Sequence, residues 1–244
     1  MISETYFASK YTSFWKDLLP GKNKYIRYVV NNDIEAIESP LESIDVPSSR
    51  GFINYIAFKL SIKSLTKEID YSELEKLEQN STLFENVFTE AKSFLENFED
   101  TQDITYDITE EEVPLIKEMA KRIHRKYITK IERGYIFFPE PSFQGCGIIN
   151  SANGDLIVGN VLIEIKAGKR KFSINDIKQI LVYATLNSLD NNYGTLSSFE
   201  LYNPREGTSF YDSFTNLCHE VACASPQEIY SEIKRHIINT MNSI

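Results

Sequence analysis

Asn153-Gly154-Asp155-Leu156-Ile157-Val158-Gly159-Asn160-Val161-Leu162-Ile163-Glu164-Ile165-Lys166 is the stretch around which the rest of the chain is organised. Two apolar, β-prone runs flank Gly159-Asn160. That pair suits a two-residue hairpin turn, because glycine accepts positive φ at its first position. The turn sets the register: Val158 faces Val161, Ile157 faces Leu162, Leu156 faces Ile163, and Asp155 falls opposite Glu164. Opposed residues share a face with Cβ atoms about 4.5–5.5 Å apart, and Lys166, two residues past Glu164, joins them there. The remaining positions are apolar on both faces, the pattern of central strands covered on both sides.

Two carboxylates brought this close raise each other's pKa unless a cation intervenes. A divalent ion resolves the conflict, and one or two carboxylates with water and phosphate completing the shell describe a magnesium site. Lys166 beside it can orient a water, and the metal can acidify that water and neutralise phosphate charge. Phosphodiester hydrolysis is the natural reaction. The plainer alternative is an ion pair of Lys166 with Glu164 or Asp155 at a solvated end of a sheet.

Downstream, Ser173 with Asp176 three residues on opens a helix to about Asn187. Its Ile177, Ile180, Leu181 and Ala184 pack inward, while Gln179 and Tyr183, four apart, project together toward one neighbour. A strand at Ser198–Tyr202 and a closing helix from Ser225, capped by Ser225-Pro226-Gln227-Glu228, complete this side. Asn203 to Gly207 reads as a turn with Arg205 exposed. Upstream lie a helix over Val113–Tyr127 and a strand over Tyr135–Phe138 that stops at Pro139-Glu140-Pro141. Gly145-Cys146-Gly147 then marks a tight backbone approach. The front half reads as helices over Tyr6–Leu19, through Ile53 to Leu60 after Ser48-Ser49, over Tyr71–Leu77 and over Leu83–Phe98. Glu99–Glu112 reads as an exposed acidic connector that could mask the basic surface. No catalytic constellation is visible in that half. The expected fold is α/β, a mixed central sheet flanked by helices, with a helical region at 1–105 and the sheet domain at 106–244.

The 244 residues, 42% apolar and 25% charged, are ordinary globular usage. No stretch reaches the roughly 20 uncharged apolar residues of a membrane helix, and no secretory leader is visible, so the expected location is cytoplasmic. Three cysteines without CxxC spacing argue against a disulfide framework or a zinc site. Residues 1–110 hold 11 Lys and Arg against 20 Asp and Glu, while 111–244 hold 15 of each. Within the back half the basic residues cluster, first at Lys121, Arg122, Arg125, Lys126, Lys130 and Arg133, then at Lys166, Lys169, Arg170 and Lys171. Such runs are commonly just solvated faces. His124, His219 and His236 lack ligand spacing and read as surface or packing residues.

The order Gly154-Asp155, Glu164-Ile165-Lys166 and Gln179-x-x-x-Tyr183 resembles the PD-(D/E)XK nuclease superfamily, in its branch related to lambda exonuclease and the nuclease domains of recombination helicases. The resemblance covers about Gln144 to Asn187 in detail and Val113 to the C-terminus in layout. Gly154 stands where the motif's proline would be. The resemblance implies a restriction-endonuclease-like core and Mg2+ or Mn2+ held by Asp155, Glu164 and the Ile165 carbonyl. It also implies that Lys166 supports the attacking water while Gln179 and Tyr183 brace the site or the phosphate. An additional metal-ligating glutamate from the preceding helix would be Glu118, with Glu112 as the alternative. Lys169, Arg170 and Lys171, with Arg122 and Arg125, would contact nucleic acid, and no iron–sulfur cluster is expected. The implied function is a metal-dependent DNA nuclease in bacterial repair or anti-phage defence. Its expected partners are DNA, a helicase or ATPase, and a second copy of the chain, with no membrane. The alternative is a nuclease-like fold that no longer cuts and serves as a nucleic-acid-binding or assembly module, using the acidic front half as its surface.

Overall fold

The computed structural model describes residues 1–42, 49–96 and 107–242. The chain opens with α1 (Glu4–Lys10) and α2 (Thr12–Leu18), where apolar spacing predicts one helix. The break falls at Tyr11, whose ψ of 54° leaves the helical region. The Phe7 carbonyl accepts from the Trp15 indole as well as from the Tyr11 amide, which ties the second helix back onto the first. Then come α3 (Lys22–Tyr25), a π-helical turn (Ile26–Val30), α4 (Asn31–Asp33) and β1 (Glu35–Ala36). Next are α5 (Arg50–Leu65), α6 (Tyr71–Glu75), α7 (Thr82–Glu96) and α8 (Val113–Glu132). The last two residues of the helix expected over Leu83–Phe98 and residues 99–106 of the expected connector lie outside the described residues. Its remainder is not exposed throughout: Ile108 and Glu112 are buried, and the Glu112 carboxylate accepts from Ser49 Oγ and from the Thr109 amide and hydroxyl.

The second half supplies β2 (Phe137–Pro139), the small pair β3 (Ser142–Phe143) and β4 (Ala152–Asn153), β5 (Leu156–Val158) and β6 (Val161–Ile165). After α9 (Ile174–Asp190) follow β7 (Ser198–Asn203), β8 (Thr208–Ser213), α10 (Phe214–Ala222) and α11 (Pro226–Met241). The protein is α/β, with a six-stranded mixed sheet in the order β1-β8-β7-β6-β5-β2. Among the described strands of this sheet only β6 and β7 run parallel, joined by the crossover through α9. The hairpin has the expected register, Leu156 with Ile163, Ile157 with Leu162 and Val158 with Val161, about a Gly159 at φ +65°. Leu156, Ile157 and Ile163 are fully buried, each stabilising the fold by about 1.5–3 kcal/mol.

β8 and α10 carry no strong sequence signal, and the sheet completes them. The Asn203–Gly207 turn folds β8 back on β7, so Arg205 is not exposed as expected but 0% accessible, donating to Ala167 O and Asn54 Oδ1. β1 adds to β8, and Phe7, Trp15, Tyr25 and Val30 share one core with α9, the sheet and α11. A second core lies between α5, α6, α7 and α8. Burial of α9 extends from Asp176 through Asn187, so its polar residues must find partners inside. Among the described residues no helix is long and apolar enough to cross a membrane.

Candidate active site

The hairpin, α9 and α1 converge where β6 ends, beside the parallel β6–β7 pair, which antiparallel pairs flank on both sides. Clefts at the carboxyl ends of strands are common ligand sites in open α/β sheets. Asp155 precedes β5 and so reaches this end from the opposite direction. Its Oδ2 accepts the Ile165 amide at 2.6 Å, and its carbonyl accepts the Glu140 amide at 2.8 Å. Glu164 is 5% exposed.

Lys166 Nζ donates to Glu164 Oε1 and to Gln179 Oε1, each at 2.7 Å, and lies 3.8 Å from Asp176. Gln179 Nε2 then donates to Tyr183 Oη at 2.9 Å, and that hydroxyl is 3.0 Å from the Asn153 carbonyl. Phe143 stacks on the Tyr183 ring. Asp155, Glu164, Lys166, Gln179 and Tyr183 therefore form one connected cluster. The i,i+4 spacing on α9 and the two-residue spacing on β6 deliver them to it.

Electrostatics show what this cluster lacks. Burial, and then the charge of Glu164, push Asp155 well above the usual carboxylate range. Burial likewise raises Glu164, against the pull of Lys166. Burial alone would lower Lys166, but Glu164, Asp176 and Asp155 outweigh it and raise the ammonium. Glu164 Oε2 is buried with no hydrogen-bond partner among the described residues, an arrangement that costs stability unless a cation or a donor arrives.

Glu4, at the first turn of α1, is a site residue that sequence reading missed. Gln179 Nε2 and Tyr183 Oη both lie 3.2 Å from its Oε1, and its charge adds to the upward shift of Glu164. No local pattern marks it; only the packing of α1 on α9 brings it in. The spacing from Ser173 marks Asp176 only as a helix cap. It makes that capping box and also takes a bidentate contact from Arg170 at 2.7 and 2.6 Å, which, against the cost of burial, holds its carboxyl below the usual range.

Other expected residues lie elsewhere. Glu118 is held by Arg125 at 2.8 Å and Lys121 at 3.2 Å, in a cluster with Glu38 and Arg122. Glu112 caps the Thr109 turn. Arg122 is 7% exposed, donates inside the fold to Pro204 O and Ser39 O, and forms an ion pair with Glu38. Arg125 pairs with Glu38 and Glu118. Lys169, Arg170 and Lys171 are exposed on the loop between β6 and α9. His124 packs as expected, with Nδ1 on Ser64 Oγ and its ring over Tyr71.

Among the described residues no group of three or more His, Cys, Asp or Glu side chains is placed to hold a metal ion. A cation at this site would therefore rest on the Asp155 and Glu164 carboxylates and backbone oxygen, the sparse hard-donor set that Mg2+ accepts along with water. The orphaned Glu164 Oε2 fits that requirement. No family model matches the chain, and no curated protein matches it.

Proposed function

We propose that the chain is a Mg2+- or Mn2+-dependent deoxyribonuclease with a restriction-endonuclease-like core, as the resemblance to PD-(D/E)XK nucleases implies. The observation that carries this reading is the unsatisfied Glu164 Oε2, buried beside a raised Asp155 and a lysine that is itself held on two sides. An orphaned buried carboxylate oxygen beside a second buried carboxyl costs stability, and a bound cation would remove that cost.

Asp155, Glu164 and the Ile165 carbonyl would hold the ion, which when bound supplies an acidified water and neutralises charge on the scissile phosphate. Lys166, restrained by Glu164 and Gln179, presents an ammonium proton to the water or to a phosphate oxygen. Gln179 and Tyr183 keep that ammonium in place from the α9 side. Lys169 and Lys171, exposed beside the cluster, suit the passing DNA backbone.

Incubation with linear and circular DNA in Mg2+ or Mn2+ should yield cleaved product. Asp155→Asn, Glu164→Gln and Lys166→Met should each lower the rate by at least about a hundredfold. Full activity with all three replaced, or no product from any DNA with either metal, overturns the reading.

A further inference from the structure

Gln179 stands between two groups that each dictate one end of its amide. An ammonium carries only donors, so the end facing Lys166 Nζ at 2.7 Å must be the oxygen. The other end then presents Nε2 to Tyr183 Oη and Glu4 Oε1. A flipped amide would set donors against the ammonium and an acceptor against the carboxylate. At 6% exposed, Gln179 has little water with which to make good such a mismatch.

Glu4 is not a chance visitor to this place. On one side of it the Ile2 amide donates to Ile148 O at 2.8 Å and the Ile2 carbonyl accepts from the Asn150 amide at 2.9 Å. On the other, Phe7 is fully buried, and the Lys178 ammonium, inside α9, donates to the Ala8 carbonyl at 3.0 Å. The Ser3 hydroxyl caps α1 itself. The first turn of α1 is thereby fixed on one side by the backbone at Ile148 and Asn150 and on the other by α9.

We infer that Glu4 is a positioning residue: its carboxylate sets the orientation of the Gln179 amide, and through that amide the place of the Lys166 ammonium. A carboxylate on a helix remote in sequence thus acts on the lysine through one intervening side chain. The catalytic consequence rests on the nuclease reading; the positioning itself does not.

Two measurements test the inference. The first is the side-chain amide resonance of Gln179 in 1H–15N spectra, assigned by its loss in Gln179→Glu. It should be displaced from the free-amide position and slow to exchange in the native protein, and should move toward the free position in Glu4→Ala. Glu4→Gln keeps the side-chain shape but accepts more weakly, so it should move the resonance the same way by less, and it serves if Glu4→Ala loosens α1. An unmoved resonance in both variants overturns the positioning. The second is a double-mutant cycle on DNA cleavage in Mn2+. Glu4→Ala should lower kcat by about a hundredfold with little change in KM, and should add nothing in a Gln179→Ala background. Losses that add in full would show that Glu4 does not act through Gln179. If the native protein cuts no DNA while the resonance still moves, the nuclease reading falls and the positioning stands.

Discussion

Burying Asp155 beside Glu164 sets folding against chemistry. Burial raises both carboxyls above their unfolded values, helped at Asp155 by the charge of Glu164 and at Glu164 by those of Glu4 and Asp176, so the folded protein binds protons more tightly than the unfolded chain. The stability this contributes is fully present below about pH 4, the ordinary carboxylate range, and is lost as pH rises through the folded values. Asp155→Asn, whose amide oxygen can still accept the Ile165 amide, removes one of the two charges. Without metal, it should melt higher than the native protein at pH 7, by roughly 2–4 °C per kcal/mol relieved, and the difference should vanish near pH 4. Thermal melts at the two pH values decide it. Saturating Mn2+ should reverse the order at pH 7, because a ligand that binds only the folded state stabilises it in proportion to its affinity.

The hairpin and the crossover helix turn these residues into a site, and each depends on a local device. Gly159 at φ +65° closes the turn that puts Asp155 across from Glu164, and a Cβ there would meet the Tyr135 ring at 3.0 Å. Gly159→Ala should therefore cost about 1–2 kcal/mol in urea unfolding and lower cleavage further than that loss of folded protein explains. In α9, Asp176 serves both the capping box and the Arg170 contact. Helix start and the loop carrying Lys169 to Lys171 are thus locked by one carboxylate. The hairpin and α9 were legible from spacing and cap chemistry. The extra break at Tyr11 was not, because it depends on the Trp15 indole reaching the Phe7 carbonyl.

Across the whole molecule, the segment through α4 and β1 is built into the back half: Phe7, Trp15 and Tyr25 enter the core around α9, and β1 extends the sheet. Trp15 is fully buried and its indole holds the turn between α1 and α2. Trp15→Ala should cost about 3–5 kcal/mol by urea unfolding. Under conditions where the variant remains folded, the Gln179 amide resonance should shift as it does in Glu4→Ala, because α1 loses its backing. An unshifted resonance would mean that α1 is held without the second helix.

Periodicity, turn chemistry and capping pairs by themselves determined the hairpin register, the helix that follows it, the placing of Glu164 and Lys166 on one face and the pairing of Gln179 with Tyr183. All of these follow from spacings of two, three and four residues along a continuous backbone. That these two sets form one group was implied only by the family resemblance. Only the tertiary structure decided that Glu4 joins that group and that Arg122 and Arg205 turn inward. Those outcomes depend on which surfaces meet across more than a hundred residues of chain in the case of Glu4. A buried charge takes whichever partner packing brings near, and nothing in its own neighbourhood of sequence records the choice.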